Sequence, residues 1–187
     1  DESATSAILD FLMRENIEAA FFCIGEQVDA HPDLAARIVR ERHLIANHTH
    51  RHLYRTAAMF GPALSREIGA AQSAIERATG VRPRYMRPPI GHTNRHYPHV
   101  LKRLGLTMVG WDVRSMDTRW EPKRVIARVL KQARDGSIIL LHDGCGADAD
   151  ARTQAVVEIA EGVVKGLKER GFSFERVDRF INPNDQI

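Results

Sequence analysis

The chain has 187 residues, 43% of them apolar, and a formal net charge of +3. This is enough apolar material for one sizeable core and the composition of an ordinary globular domain. No apolar run approaches the ~20 residues that a bilayer-spanning helix needs. The modest positive charge is spread along the chain rather than clustered, which speaks against nucleic-acid binding.

Ile8, Leu9, Phe11 and Leu12 fall at helical spacing and predict a first helix over 5–15. A short buried strand over 18–24 follows, in which Cys23 reads as a small core residue. His31-Pro32-Asp33 opens a helix to about 41, with proline suited to the first turn. A strand at 44–46 leads into His48-Thr49-His50-Arg51-His52, and a long helix over 63–79 is ended by Gly80. The strand at 84–86 delivers Arg87-Pro88-Pro89-Ile90-Gly91-His92-Thr93-Asn94, and a helix over 94–104 and a strand over 106–111 come next. A helix over 121–134 carries Pro122 at its start. The continuous apolar run over 137–141 is of the kind buried on both faces of a parallel sheet. A helix over 151–170 and a strand over 172–177 close the chain. Without a repeat, a low-complexity tract or a linker, one domain over 1–187 is expected. Strands alternating with helices predict an α/β parallel barrel or sheet. Two cysteines make no disulfide framework, and Cys145 reads as a loop residue beside His142.

His48 and His52 are the first candidates for chemistry. On a helix or helical turn, residues at i and i+4 share a face, so both rings can reach one cation. Neutral imidazole suits zinc or cobalt, and a catalytic site needs three protein ligands and an open position. Two histidines are one ligand short, and a carboxylate or a third histidine would have to complete the set. The alternative is a solvated basic segment, since His50, Arg51 and Arg55 surround the pair.

Further motifs stand in order behind it: Arg87 to Asn94, then Trp111-Asp112-Val113-Arg114-Ser115-Met116-Asp117, then Leu140-Leu141-His142-Asp143-Gly144. The set resembles the polysaccharide deacetylase family (carbohydrate esterase family 4, the chitooligosaccharide deacetylase homology domain). His48-Thr49…His52 matches the family's H-[ST]-x-x-H, Arg87 to Asn94 its R-P-P-x-G-x-x-N, and Leu140…His142 its L-x-H. Arg114…Asp117-Thr118 is a degenerate D-x-x-D-W, with Arg114 and Thr118 replacing an aspartate and a tryptophan. His43 to His48 looks like the approach to the metal, and Phe21-Phe22-Cys23-Ile24-Gly25 like the T-F-F-x-x-G strand. The resemblance runs over roughly residues 5 to 177.

It implies an irregular (β/α) barrel with the site at the C-terminal strand ends, where such barrels place their chemistry. It also implies a divalent metal on His48 and His52, zinc first, with cobalt or nickel as alternatives. The family opens with a T-F-D-D-G-P strand whose aspartates are the general base and the third metal ligand. No Asp-Asp pair occurs in this sequence, and Asp1-Glu2-Ser3-Ala4-Thr5 aligns just after that motif. The expectation is a chain without the first strand, either a truncated product or a reduced relative. His142 would be the general acid, since an imidazole of pKa ~6.5 can give a proton to a departing amine near neutral pH. Asp117 would hydrogen-bond that imidazole, fixing its tautomer. Arg87 tethers the base in the family, and the Ile90 N–H would help to stabilise the oxyanion. Leu140 would line the pocket for the acetyl methyl, with Trp111 beside it. His50, His92, His96 and His99 match no family role and read as solvated or capping residues. The implied substrate is an acetylated glycan (peptidoglycan, chitin-type or xylan, through N- or O-acetyl groups) in a secreted or cell-envelope setting, although the chain shows no signal peptide. A glycan-binding relative without the base is the alternative.

Overall fold

The computed structural model describes residues 2–144 and 149–181; Asp1 and Cys145 lie outside them. Among the described residues the elements run α1 (Glu2–Glu15), β1 (Ala20–Cys23), α2 (Gly25–Ala30), α3 (Pro32–Arg40), β2 (Leu44–Asn47), α4 (Gly61–Thr79), β3 (Tyr85–Met86), α5 (Tyr97–Leu104), β4 (Thr107–Met108), β5 (Val113–Arg114), α6 (Pro122–Gln132), β6 (Ile139–Leu140), α7 (Ala149–Glu169) and α8 (Val177–Phe180). Two 3-10 turns, Tyr54–Ala58 and Pro89–Gly91, lie in the loops after β2 and β3. The chain clusters into two compact units, one formed by Ala19–Gly110 and the segment from Arg176, the other by Asp1–Glu18 and Trp111–Glu175.

In the first unit β1, β2, β3 and β4 form a parallel sheet in that order. Phe21 pairs with Ile45 and Cys23 with Asn47, then Asn47 with Met86 and Met86 with Met108. The pairings bring the C-terminal ends of β1, β2 and β3 level, so the loops that follow them start side by side. Helix α4 buries Leu64, Ile68, Ala71 and Ile75, a 4-3-4 spacing that puts all four on one stripe. Leu64, Ile68 and Ile75 are fully enclosed, each contributing roughly 1.5–3 kcal/mol relative to an exposed side chain. The helix ends at Gly80, whose φ of 71° lets its N–H reach the Glu76 carbonyl. Tyr97, Val100 and Leu101 of α5 join Leu64, Ile68 and Met86 in the core.

In the second unit β5 and β6 pair in parallel, Val113 with Ile139 and Arg114 with Leu140. Val125 and Val129 of α6 meet Ile159, Val163 and Leu167 of α7 in a common core. The two helices come close because α7 offers glycine where they meet. A Cβ on Gly162 would lie 2.4 Å from Ile126 Cδ1, and one on Gly166 2.7 Å from Leu130 Cδ1.

The expected α/β class with parallel strands is what the chain adopts. The strand expected at 172–177 is not one. Phe172 and Phe174 pack against the α6–α7 core instead, the backbone there joins no sheet, and α8 begins at Val177. Their alternation thus reflects burial beside helices, with no ladder partner.

Candidate active site

Strand β2 is continued by His48, whose N–H still donates to the Cys23 carbonyl at 3.0 Å. Beyond it the backbone turns irregularly. Thr49 and His52 adopt φ of 64° and 51°, and 48–53 is not helical. The helical turn expected for the histidine pair is therefore replaced by a bend with two left-handed residues, which still brings the rings together, centroids 4.7 Å apart. Buried side chains hold this bend. Asn47 donates to the Ile68 carbonyl at 2.9 Å while its Oδ1 accepts from the Thr49 N–H at 2.8 Å. The Thr49 hydroxyl accepts from the His52 N–H at 3.2 Å. Glu67, only 4% exposed, accepts from the Arg51 N–H at 2.7 Å and from its guanidinium at 3.0 and 3.1 Å. From the other side, the first N–H groups of α2 cap the bend: Gly25 donates to the Thr49 carbonyl and Glu26 to that of His50.

His48 Nδ1 lies 2.7 Å from the Arg87 carbonyl. A carbonyl only accepts, so Nδ1 carries the proton and the ring's lone pair sits on Nε2, the arrangement that a metal-binding histidine uses. Two imidazoles would be one ligand short of the three that a catalytic site uses. Among the described residues, no group of three or more His, Cys, Asp or Glu side chains could hold a metal ion.

Arg87 is 8% exposed. Its Nε donates to the Val109 carbonyl at 3.1 Å, Nη2 donates to that of Gly110 at 2.8 Å, and the guanidinium lies 4.0 Å from the Phe22 ring centroid. Burial lowers its pKa to about 10, so it stays a cation at neutral pH. The Pro89–Gly91 turn closes through Gly91 N–H to Pro88 O and His92 N–H to Pro89 O. It leaves Ile90 at φ 52° and 46% exposed. A β-branched residue in this region is strained. Asn94, the last residue of that motif, donates to the Ala57 and Met59 carbonyls at 3.0 and 2.9 Å. His50 and His96 are partly buried and His92 and His99 exposed; His96 stands at the N-cap of α5 without a capping bond.

The other residues that the sequence singles out lie in the second unit. Asp117, 3% exposed, accepts from His142 Nδ1 at 2.9 Å on Oδ1 and from the His142 N–H at 2.6 Å on Oδ2. Ser115 Oγ adds a bond to Oδ1 at 2.9 Å. Burial alone would raise the Asp117 pKa; the His142 and Ser115 bonds outweigh it and hold the carboxyl below the ordinary aspartate value. Asp117 thus stays an anion and pins Nδ1–H, so the imidazole presents Nε2 for proton exchange. Arg152 of α7 donates to the Asp117 carbonyl at 2.8 Å and to the His142 carbonyl at 3.1 Å, and its guanidinium stands 3.6 Å from Asp117 Oδ2. Thr5 Oγ1 donates to Asp143 at 2.7 Å. Leu140 is buried on β6, and Trp111 is half-buried in the coil after β4 rather than within a strand.

Asn47, Glu67, Ser115 and Arg152 are the residues that sequence reasoning missed. Each acts on a partner brought close by the fold, and no spacing pattern announces it.

These elements and motifs match known proteins. A family model described as polysaccharide deacetylase matches residues 1–109. The chitooligosaccharide deacetylase of Azorhizobium caulinodans is 33% identical over 186 residues, covering 92% of this chain and 86% of that protein. The peptidoglycan-N-acetylmuramic acid deacetylase PdaC of Bacillus subtilis is 32% identical over 178 residues, covering 95% of this chain but 36% of that longer protein. The crystal structure of the Bc1960 peptidoglycan N-acetylglucosamine deacetylase superposes with a TM-score of 0.86 at 27% identity, over 94% of this chain and 80% of that one. A family model that matches more than half of the residues, and a relative a third identical along most of both lengths, place this chain in the polysaccharide deacetylase family.

Proposed function

We propose that the chain carries most of a metal-dependent hydrolase that removes acetyl groups from an amino-sugar glycan of peptidoglycan or chitin type. The observation that carries this reading is the His48–His52 pair, with His48 Nδ1 occupied by the Arg87 carbonyl and the two rings 4.7 Å apart. Zinc, with cobalt or nickel as alternatives, would supply Lewis-acid polarisation and lower the pKa of water. His48 and His52 would hold and orient it. Arg87 fixes the His48 ring through its carbonyl. The Ile90 N–H, presented by a strained turn, donates to the oxygen of the tetrahedral intermediate. His142, held by Asp117, gives the proton from Nε2 to the departing amine. Leu140 and Trp111 provide apolar surface for the acetyl methyl. The relatives that act on peptidoglycan support a cell-envelope setting, and no helix among the described residues is long and apolar enough to cross a membrane.

A second reading, a glycan-binding relative without catalysis, draws on one fact: these 187 residues contain no Asp-Asp pair to supply base and third ligand. Acetate release from N-acetylated chitooligosaccharides with zinc present decides between the two. It is measured on the chain alone, where the rate should be very low, and on the chain preceded by a T-F-D-D-G-P strand. In the active form, His142→Ala should lower kcat by about 10²–10⁴ with bound zinc unchanged. No acetate from either form would leave the binding reading.

A further inference from the structure

Three of the large apolar side chains that the fold leaves exposed belong to the two loops around the histidine pair: Tyr54 at 68%, Phe60 at 72% and Ile90 at 46%. The Tyr54 ring stands edge-on to His52, centroids 5.7 Å apart. Phe60 occupies the N-cap of α4 and makes no capping bond there. Ser, Thr, Asp or Asn at this position would satisfy a helix N–H and add about 1 kcal/mol. Phenylalanine forgoes that and exposes a ring whose aromatic neighbour is His96, 6.0 Å away. Helix stability therefore does not account for Phe60. The loop between Tyr54 and Phe60 is nonetheless held firmly. Thr56 is fully buried, and Asn94 grips the Ala57 and Met59 carbonyls. The rings are carried on a fixed support.

We propose that Tyr54 and Phe60, with His96 beside Phe60, form a stacking platform for successive sugar rings of a linear amino-sugar glycan whose reacting unit lies at His48 and His52. The identity of the ligand rests on the deacetylase reading. A pyranose chair with equatorial substituents presents axial C–H groups on its faces, and these pack on the negative π face of an aromatic ring. Exposed aromatic surface beside a reacting centre, on a backbone that does not have to be ordered first, suits an extended ligand. The contact between Tyr54 and His52 makes the platform continuous with the proposed centre, so a glycan longer than one unit would lie across it.

Calorimetric titration of the chain with N-acetylglucosamine and with its β-1,4-linked hexamer tests this. The hexamer should bind at least about tenfold tighter than the monosaccharide. Tyr54→Ala and Phe60→Ala should each weaken hexamer binding about 5- to 100-fold, as loss of one stacking ring does for nucleic-acid bases. Tyr54→Phe should keep it, and monosaccharide binding should not change. Circular dichroism confirms that the exposed-site variants fold. Equal affinity for hexamer and monosaccharide, or unaltered hexamer binding in both alanine variants, overturns the platform. So does a dimer in sedimentation that the alanine variants abolish, since a second copy would then own the surface. Zinc titration of the same samples reads the deacetylase proposal separately. Hexamer binding through Tyr54 and Phe60 in a chain that takes no zinc at His48 keeps the platform and refutes the metal-dependent reading.

Discussion

Asp117 receives two bonds from His142, one from the ring and one from the main chain, so it fixes both where the imidazole is and which nitrogen it presents. Replacing it by asparagine keeps the shape but removes the charge, and puts an amide N–H₂ where one of those donors points. Asp117→Asn should destabilise the chain by about 2 kcal/mol, in the range for hydrogen bonds to charged groups. The pH dependence has a definite sign. The Asp117 carboxyl is held below the ordinary aspartate value. Its contribution is therefore present above the unfolded pKa of ~3.9 and is lost as pH falls through the folded value. Urea midpoints of wild type and Asp117→Asn should differ by the same amount from pH 7 to 5, and the gap should shrink progressively as pH falls below about 4. A gap that does not shrink in that range would show that the aspartate acts through packing rather than charge. The two histidines behave differently as signals. Their spacing was legible in the sequence, whereas the bend that unites them was not, because Thr49 and His52 both adopt left-handed backbone, which is uncommon outside glycine and disfavoured for a β-branched threonine.

At the scale of elements, the join between β1 and α2 is tuned to the histidine bend. Gly25 opens α2, and its N–H bonds Thr49 O. A Cβ there would stand 2.3 Å from His50 Nδ1 and 2.9 Å from Ala71 Cα. The imidazole could move, but the α4 backbone could not without disturbing its buried stripe. Gly25→Ala should therefore destabilise by about 1–3 kcal/mol, the usual effect of overpacking, and should loosen the His48–His52 pair. Gly69, inside α4, is the control, because a Cβ added there would meet nothing within 4 Å. Gly69→Ala should stabilise by about 0.5–1 kcal/mol. Equal effects of the two on the urea midpoint would refute the packing argument. Long elements such as α4 and α7 were readable because their apolar stripes repeat over several turns. Helix α2, with six residues, and β5, with two, are too short to show a period. The 172–177 segment shows the opposite failure: its phenylalanines alternate as in a strand but are half-buried against helices.

Across the whole molecule, the residues proposed to do chemistry sit in short motifs, while the residues that hold them come from far along the chain. Glu67 lies sixteen positions beyond Arg51, and Arg152 thirty-five beyond Asp117. Only tertiary structure pairs them, which is why the candidate site was legible as motifs and its supports were not. Any metal that the folded bend holds should in turn stabilise the fold. A ligand that binds only the folded chain adds about 2.7 kcal/mol at 100 times its Kd, and each kcal/mol moves Tm by about 2–4 °C in a chain of this size. Zinc at that excess should raise Tm by about 5–10 °C at most. Nine histidines can also take zinc when unfolded, which would reduce the gain. With two imidazoles in hand the Kd should lie above micromolar, so that excess should be reached only above about 100 µM zinc. His48→Ala should abolish the shift, and calcium, which prefers oxygen ligands, should give none. A zinc-induced rise that survives both His48→Ala and His52→Ala would assign the metal to other histidines and remove the basis for a hydrolytic centre at this bend.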